Sequence, residues 1–130
     1  MLSEARLSSL SARCLLEGDS QEEFNVFAGQ LMRFLNPVNL AETYLADELV
    51  AEVWLLCRVA RIESLLKPAI EPSTLRKYKL SRMRRYRQIW KSLCGLRRFM
   101  HSEAGLPPKV VDPVSLRAML RRGDRSELAA

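Results

Sequence analysis

Residues 75–100 read LRKYKLSRMRRYRQIWKSLCGLRRFM and carry ten Lys/Arg with no Asp or Glu. Arg76, Lys77, Lys79, Arg82, Arg84, Arg85, Arg87 and Lys91 lie between apolar positions, with Tyr78 and Tyr86 interleaved. Such a segment can neutralise phosphates and release counterions, and a tyrosine such as Tyr78 can stack on an unpaired base. Nucleic acid, RNA or DNA, or an acidic protein surface is therefore the expected partner. The competing explanation is internal pairing with Glu42, Asp47, Glu48, Glu52 and Glu63. Residues 1–71 carry 6 basic and 11 acidic side chains, whereas residues 72–102 carry 10 basic and none acidic, so −5 does not offset +10. Residues 103–130 are nearly balanced, with 5 basic and 4 acidic.

Other chemistry is poorly supported. Glu48 and Glu52 are one helical turn apart and could hold a cation, but pairing with Arg or Lys explains that spacing more simply. His101 is the only histidine and falls at the expected end of the basic helix, where a capping role suits a cation. Cys14, Cys57 and Cys94 share no zinc-ligand spacing and read as buried, reduced thiols. The five glycines stand apart, so no phosphate-binding loop is formed. Arg122-Gly123-Asp124 spells an adhesion tripeptide, but Gly123 is sufficiently explained as a helix stop. The expectation is a protein that is not an enzyme, with no catalytic residue, cofactor or metal.

The elements that must position the basic residues are helical. Residues 3–16 form a weak first helix, stopped near Gly18. Ser20 and Glu23 make a capping box, followed by Phe24, Phe27, Leu31, Phe34 and Leu35 at 3–4 spacing. Gly29 lies inside that helix and predicts close packing of a neighbour. Asn36-Pro37 breaks it, and Asn39 with Glu42 starts the next, which runs to about Lys67 before Pro68. Its wide apolar arc, from Tyr44 to Leu66, predicts a central helix contacted on several sides. Ser73 or Thr74 caps the basic helix. Tyr86, Ile89, Leu93, Leu96 and Met100 form a regular seam, while residues 75–85 have none. The first half should be the more exposed and the functional one. Residues 101–109 read as a linker, and Asp112-Pro113 caps a short helix ending at Gly123.

Trp54-Leu55-Leu56-Cys57-Arg58-Val59-Ala60-Arg61-Ile62-Glu63, with Glu22-Glu23-Phe24, Pro37, Glu42 and Leu49 before it, resembles an uncharacterised family of small bacterial all-helical proteins. That family has a W-R-L-x-R-x-x-R-x-E helix followed by an R-Y-E…R…L basic helix, to which Lys77-Tyr78-Lys79, Arg84-Arg85-Tyr86, Leu93 and Arg97 are similar. The likeness spans residues 15–98. Leu55 stands where the family has Arg, Lys79 where it has Glu, and the family's N-A-x-K-H-G-L segment is absent. The resemblance implies a helical layout and no particular activity. With it, Arg58 is expected over the Trp54 indole, Arg58 and Arg61 in a polar rim between helices, and Glu63 against a cation of the next helix.

The sequence thus predicts an all-α bundle of three main helices, about 20–35, 40–67 and 74–101, with a weak N-terminal and a short C-terminal helix. Residues 1–104 form the bundle domain, and 105–130 a linker, short helix and frayed tail. No run is long and apolar enough to span a membrane, the first residues do not read as a secretory signal, and a cytoplasmic location is expected. The expected function is a nucleic-acid-binding accessory factor using the helix at 75–91. The alternative is a protein–protein or oligomerisation module using that helix or the spare apolar arc of the central one.

Overall fold

The computed structural model describes residues 4–66, 72–99 and 110–123, and every regular element among them is an α-helix. These are α1 (Glu4–Cys14), α2 (Gln21–Leu35), α3 (Leu40–Leu65), α4 (Ser73–Phe99) and α5 (Pro113–Arg122). His101, the linker at 101–109 and the tail beyond Gly123 lie outside the described residues.

Local chemistry sets the helix ends. The Ser20 hydroxyl accepts from the Glu23 amide at 3.1 Å, and the Asn39 side chain accepts from the Glu42 amide at 2.8 Å. Asn36 closes α2 in the left-handed region at φ 46°, a conformation asparagine tolerates better than most residues. Asp112 caps α5 with Pro113 behind it, and Gly123 ends it at φ 71°. The helix-stop reading of Gly123 therefore holds.

α3 is the hub and packs on α1, α2, α4 and α5. Leu49, Val50, Val53, Trp54 and Leu56 of α3 meet Phe24, Phe27, Leu31 and Leu35 of α2 in one core. Phe24 stands edge-on to Trp54 at 5.0 Å between ring centroids. α5 belongs to the same core. Leu116 is completely buried, and the Tyr86 hydroxyl of α4 donates to the Val111 carbonyl at 2.6 Å. Burial also pushes the Tyr86 hydroxyl well above its ordinary pKa.

Two packing expectations are corrected. A Cβ at Gly29 would meet nothing within 4 Å, so no neighbour takes advantage of the missing side chain. Arg58 does not lie over Trp54. It reaches back to donate to the Cys14 carbonyl at 2.7 Å, at the end of α1, and pairs with Asp19. The guanidinium over the indole belongs to Arg117 of α5, 4.8 Å from the Trp54 centroid and 5.5 Å from Phe27. A partner from a distant helix wins because Arg58 finds a carboxylate and an orphan helix-end carbonyl together. Burial raises the Asp19 pKa, but the Leu16 amide and Arg58 outweigh it and the net shift is down. Arg61 also approaches Asp19, at 3.8 Å, so the polar rim is present with different partners.

The three thiols are free. Cys14 is buried and the other two half-buried, and burial raises the pKa of each, which disfavours the nucleophilic thiolate.

Candidate nucleic-acid interface

Among the described residues α4 has one extensive neighbour, α3. Tyr86, Ile89, Trp90, Leu93 and Arg97 are its buried residues, and none of residues 73–85 is buried. The apolar seam thus begins at Tyr86, as its spacing predicts, but Arg97 occupies the inward position near its end. Its Nε lies 2.9 Å from Glu42 Oε1, and its Nη2 donates to the Leu35 carbonyl at the end of α2. The side chains of Arg97 and Glu42 are 4% and 0% exposed. The two charges are therefore satisfied by each other in the core, which the 3–4 pattern of apolar letters does not reveal.

The first half of α4 is held to α3 by ion pairs. Lys79 meets Glu63 at 3.1 Å, as the sequence predicts. Arg82 meets Glu52 at 2.8 Å and lies 5.2 Å from the Tyr78 ring centroid. Arg85 bridges Glu48 at 2.8 Å and Glu52 at 3.3 Å, while Arg13 of α1 reaches Glu48 at 3.1 Å. The Glu48–Glu52 turn is thus an arginine-binding surface. Among the described residues no three of His, Cys, Asp and Glu stand together as a metal site would require.

The two carboxylates are tuned in opposite directions. Burial pushes both up. At Glu48, hydrogen bonds from Arg85 and Arg13 prevail and the net pKa is lowered. At Glu52, burial prevails over Arg82 and the net pKa is raised, and its Oε2 is buried with no hydrogen-bond partner. Conversely, Glu52 outweighs desolvation to raise the Arg82 pKa, and the Glu48 hydrogen bond raises that of Arg85.

The nine residues expected to bind divide by face. Lys79, Arg82 and Arg85 turn towards α3, and Tyr78, 40% exposed, is partly covered by Arg82. Arg76, Lys77, Arg84, Arg87 and Lys91 are exposed and enter no ion pair with a described residue. Arg98, not among the nine, joins them. At 3.6 residues per turn these six fall within about 100° of helix circumference and rise about 33 Å from Arg76 to Arg98. Lys77, Arg84, Lys91 and Arg98 recur every seven residues, so the stripe runs the length of the helix and is not confined to its first half. That seven-residue recurrence was the available signal for Arg98. No acidic side chain occurs anywhere in α4. A cleft of about 530 Å³ between α2 and α5, lined by Phe27, Gln30, Arg117 and Arg121 among others, lies away from this face.

Comparison with protein-family models, curated proteins and solved structures finds no match. No helix among the described residues is long and apolar enough to cross a membrane.

Proposed function

We propose that the protein is a non-enzymatic nucleic-acid-binding accessory factor that holds phosphates on the outer face of α4. One observation carries this reading: six exposed cations with no acid partner among the described residues share one face of a helix that contains no carboxylate. The acidic residues of α3 are already engaged: Glu42, Glu48, Glu52 and Glu63 by Arg97, Arg85, Arg82 and Lys79 of α4, and Asp47, with a share of Glu48, by Arg6 and Arg13 of α1. The outer row keeps its field, and a row of like charges favours a polyanion by releasing its counterions.

The alternative, a protein–protein or oligomerisation module built on the apolar arc of α3, has less support. Four neighbouring helices take up most of that arc, leaving Leu40, Tyr44, Ile62 and Leu65 exposed towards its ends. The discriminating experiment is fluorescence anisotropy at low salt with labelled single- and double-stranded DNA and RNA. Binding by the native chain, lost in Lys77→Glu/Arg84→Glu/Lys91→Glu with the helical circular dichroism retained, supports the reading. Failure of all four probes to bind refutes it.

A further inference from the structure

We infer that the outer face of α4 takes double-stranded DNA, lying in the major groove, in preference to a single strand or an RNA duplex. The inference rests on the nucleic-acid reading above and adds the class of ligand.

The first argument is shape. Single-strand binders track the backbone along a concave, basic groove. Among the described residues α4 presents the opposite shape: α3 is its one extensive neighbour, and its far side is a convex rod. An α-helix with its side chains is about 10–12 Å across, and the major groove of B-form DNA is about 12 Å wide. The major groove of an RNA duplex is deep and narrow and does not admit a helix.

The second argument is the fate of the aromatic residues. A single strand is held by bases stacked on successive exposed rings. Tyr86 and Trp90 are completely buried, and the Tyr78 ring has Arg82 against it. Phe99, 78% exposed, stands at the last position of α4, beyond the stripe, and offers a platform for one base and no track.

The third argument is the arrangement of charge. Arg76 and Arg87 lie along one edge of the arc, Lys77 and Arg84 along the other, and Lys91 and Arg98 between them, by the 100° step of the helix. Cations on both edges can meet phosphates on both walls of a groove. A straight rod of about 33 Å leaves the curving groove at its ends, where Arg76 and Lys77 at one end and Arg98 at the other meet the backbone. Leu80 lies within the same arc and is 58% exposed. It would face the groove floor, where apolar contact with a thymine methyl is available. With Leu80 the main uncharged long side chain within the arc and Gln88 just beyond its edge, most contacts would go to phosphate and sequence preference would be weak.

The test uses the full chain and three probes of one sequence, about 20 base pairs long: duplex DNA, one DNA strand, and the RNA duplex. Duplex DNA is expected to bind about ten-fold tighter than either of the others at equal salt. Methyl green, which occupies the major groove, should displace the protein, and netropsin, which occupies the minor groove, should not. Equal or tighter binding of the single strand or the RNA duplex, still lost in Lys77→Glu/Arg84→Glu/Lys91→Glu, overturns this inference while leaving the nucleic-acid reading standing. Displacement by netropsin alone also overturns it. No binding to any probe overturns both.

Discussion

Arg97→Met should be among the most damaging single substitutions in the bundle. Methionine replaces the stem of Arg97 but not its guanidinium, so two buried groups lose their partner and a small void adds to the loss. Glu42, fully buried, loses the guanidinium 2.9 Å away, and the Leu35 carbonyl at the end of α2 loses its donor. Removing one member of a buried ion pair costs about 3–5 kcal/mol, because the remaining charge is left in the core. At a urea dependence of about 2 kcal/mol/M, that lowers the unfolding midpoint by about 2 M. The assay is urea titration followed by circular dichroism at neutral pH. Glu42→Leu/Arg97→Leu should recover a large part of the loss, since no charge is then stranded, giving a coupling energy above about 2 kcal/mol. A loss below about 1 kcal/mol for Arg97→Met would refute the reasoning, because the pair would then not be holding α2, α3 and α4 together.

Two further predictions concern stability. The Glu48 pKa lies below its ordinary value of 4.5, so its contribution is present above that pH and is lost as the pH falls through the folded-state value. The Glu52 pKa lies above 4.5, so its folded form takes up protons more readily and its contribution declines as the pH rises through that higher value. Glu48→Gln should therefore destabilise at pH 7 and flatten the acid side of the stability profile, whereas Glu52→Gln should be neutral or stabilising at pH 7, both read as urea midpoints across pH. Gly29→Ala and Gly95→Ala introduce a Cβ with nothing within 4 Å, so each should raise stability by about 0.5–1 kcal/mol, measured by the same titration.

The helices were legible because their signals are local: Ser20 and Asn39 as caps, Asn36-Pro37 as a break, Gly123 as a stop, and the seam from Tyr86. The breadth of the apolar arc on α3 likewise disclosed its place at the centre. What failed depended on which distant group reaches a given side chain. Arg58 and Arg117 are equally plausible over Trp54 until the chain is folded, and Arg58 is drawn away by Asp19 and the Cys14 carbonyl. The loss of helix propensity at Gly29 has no compensating contact, and nothing in the structure explains it. Within the basic segment, composition showed excess charge but not its direction. Lys79, Arg82 and Arg85 turn to α3 because Glu63, Glu52 and Glu48 occur along its facing side. Arg97 was hidden because a buried arginine breaks the apolar pattern that marks a core position.

The most direct test of the central claim is the dependence of duplex DNA affinity on salt for three proteins. Each phosphate contact contributes about −0.9 to the slope of log K against log salt, so six cations predict about −5, and Lys77→Glu/Arg84→Glu/Lys91→Glu should flatten it to about −3 or less. Arg82→Gln/Arg85→Gln, which alters cations already bound to Glu52 and Glu48, should leave the slope near that of the native chain while lowering the urea midpoint. A slope that is unchanged by the outer-face reversal, or is flattened by the inner pair, would contradict the account.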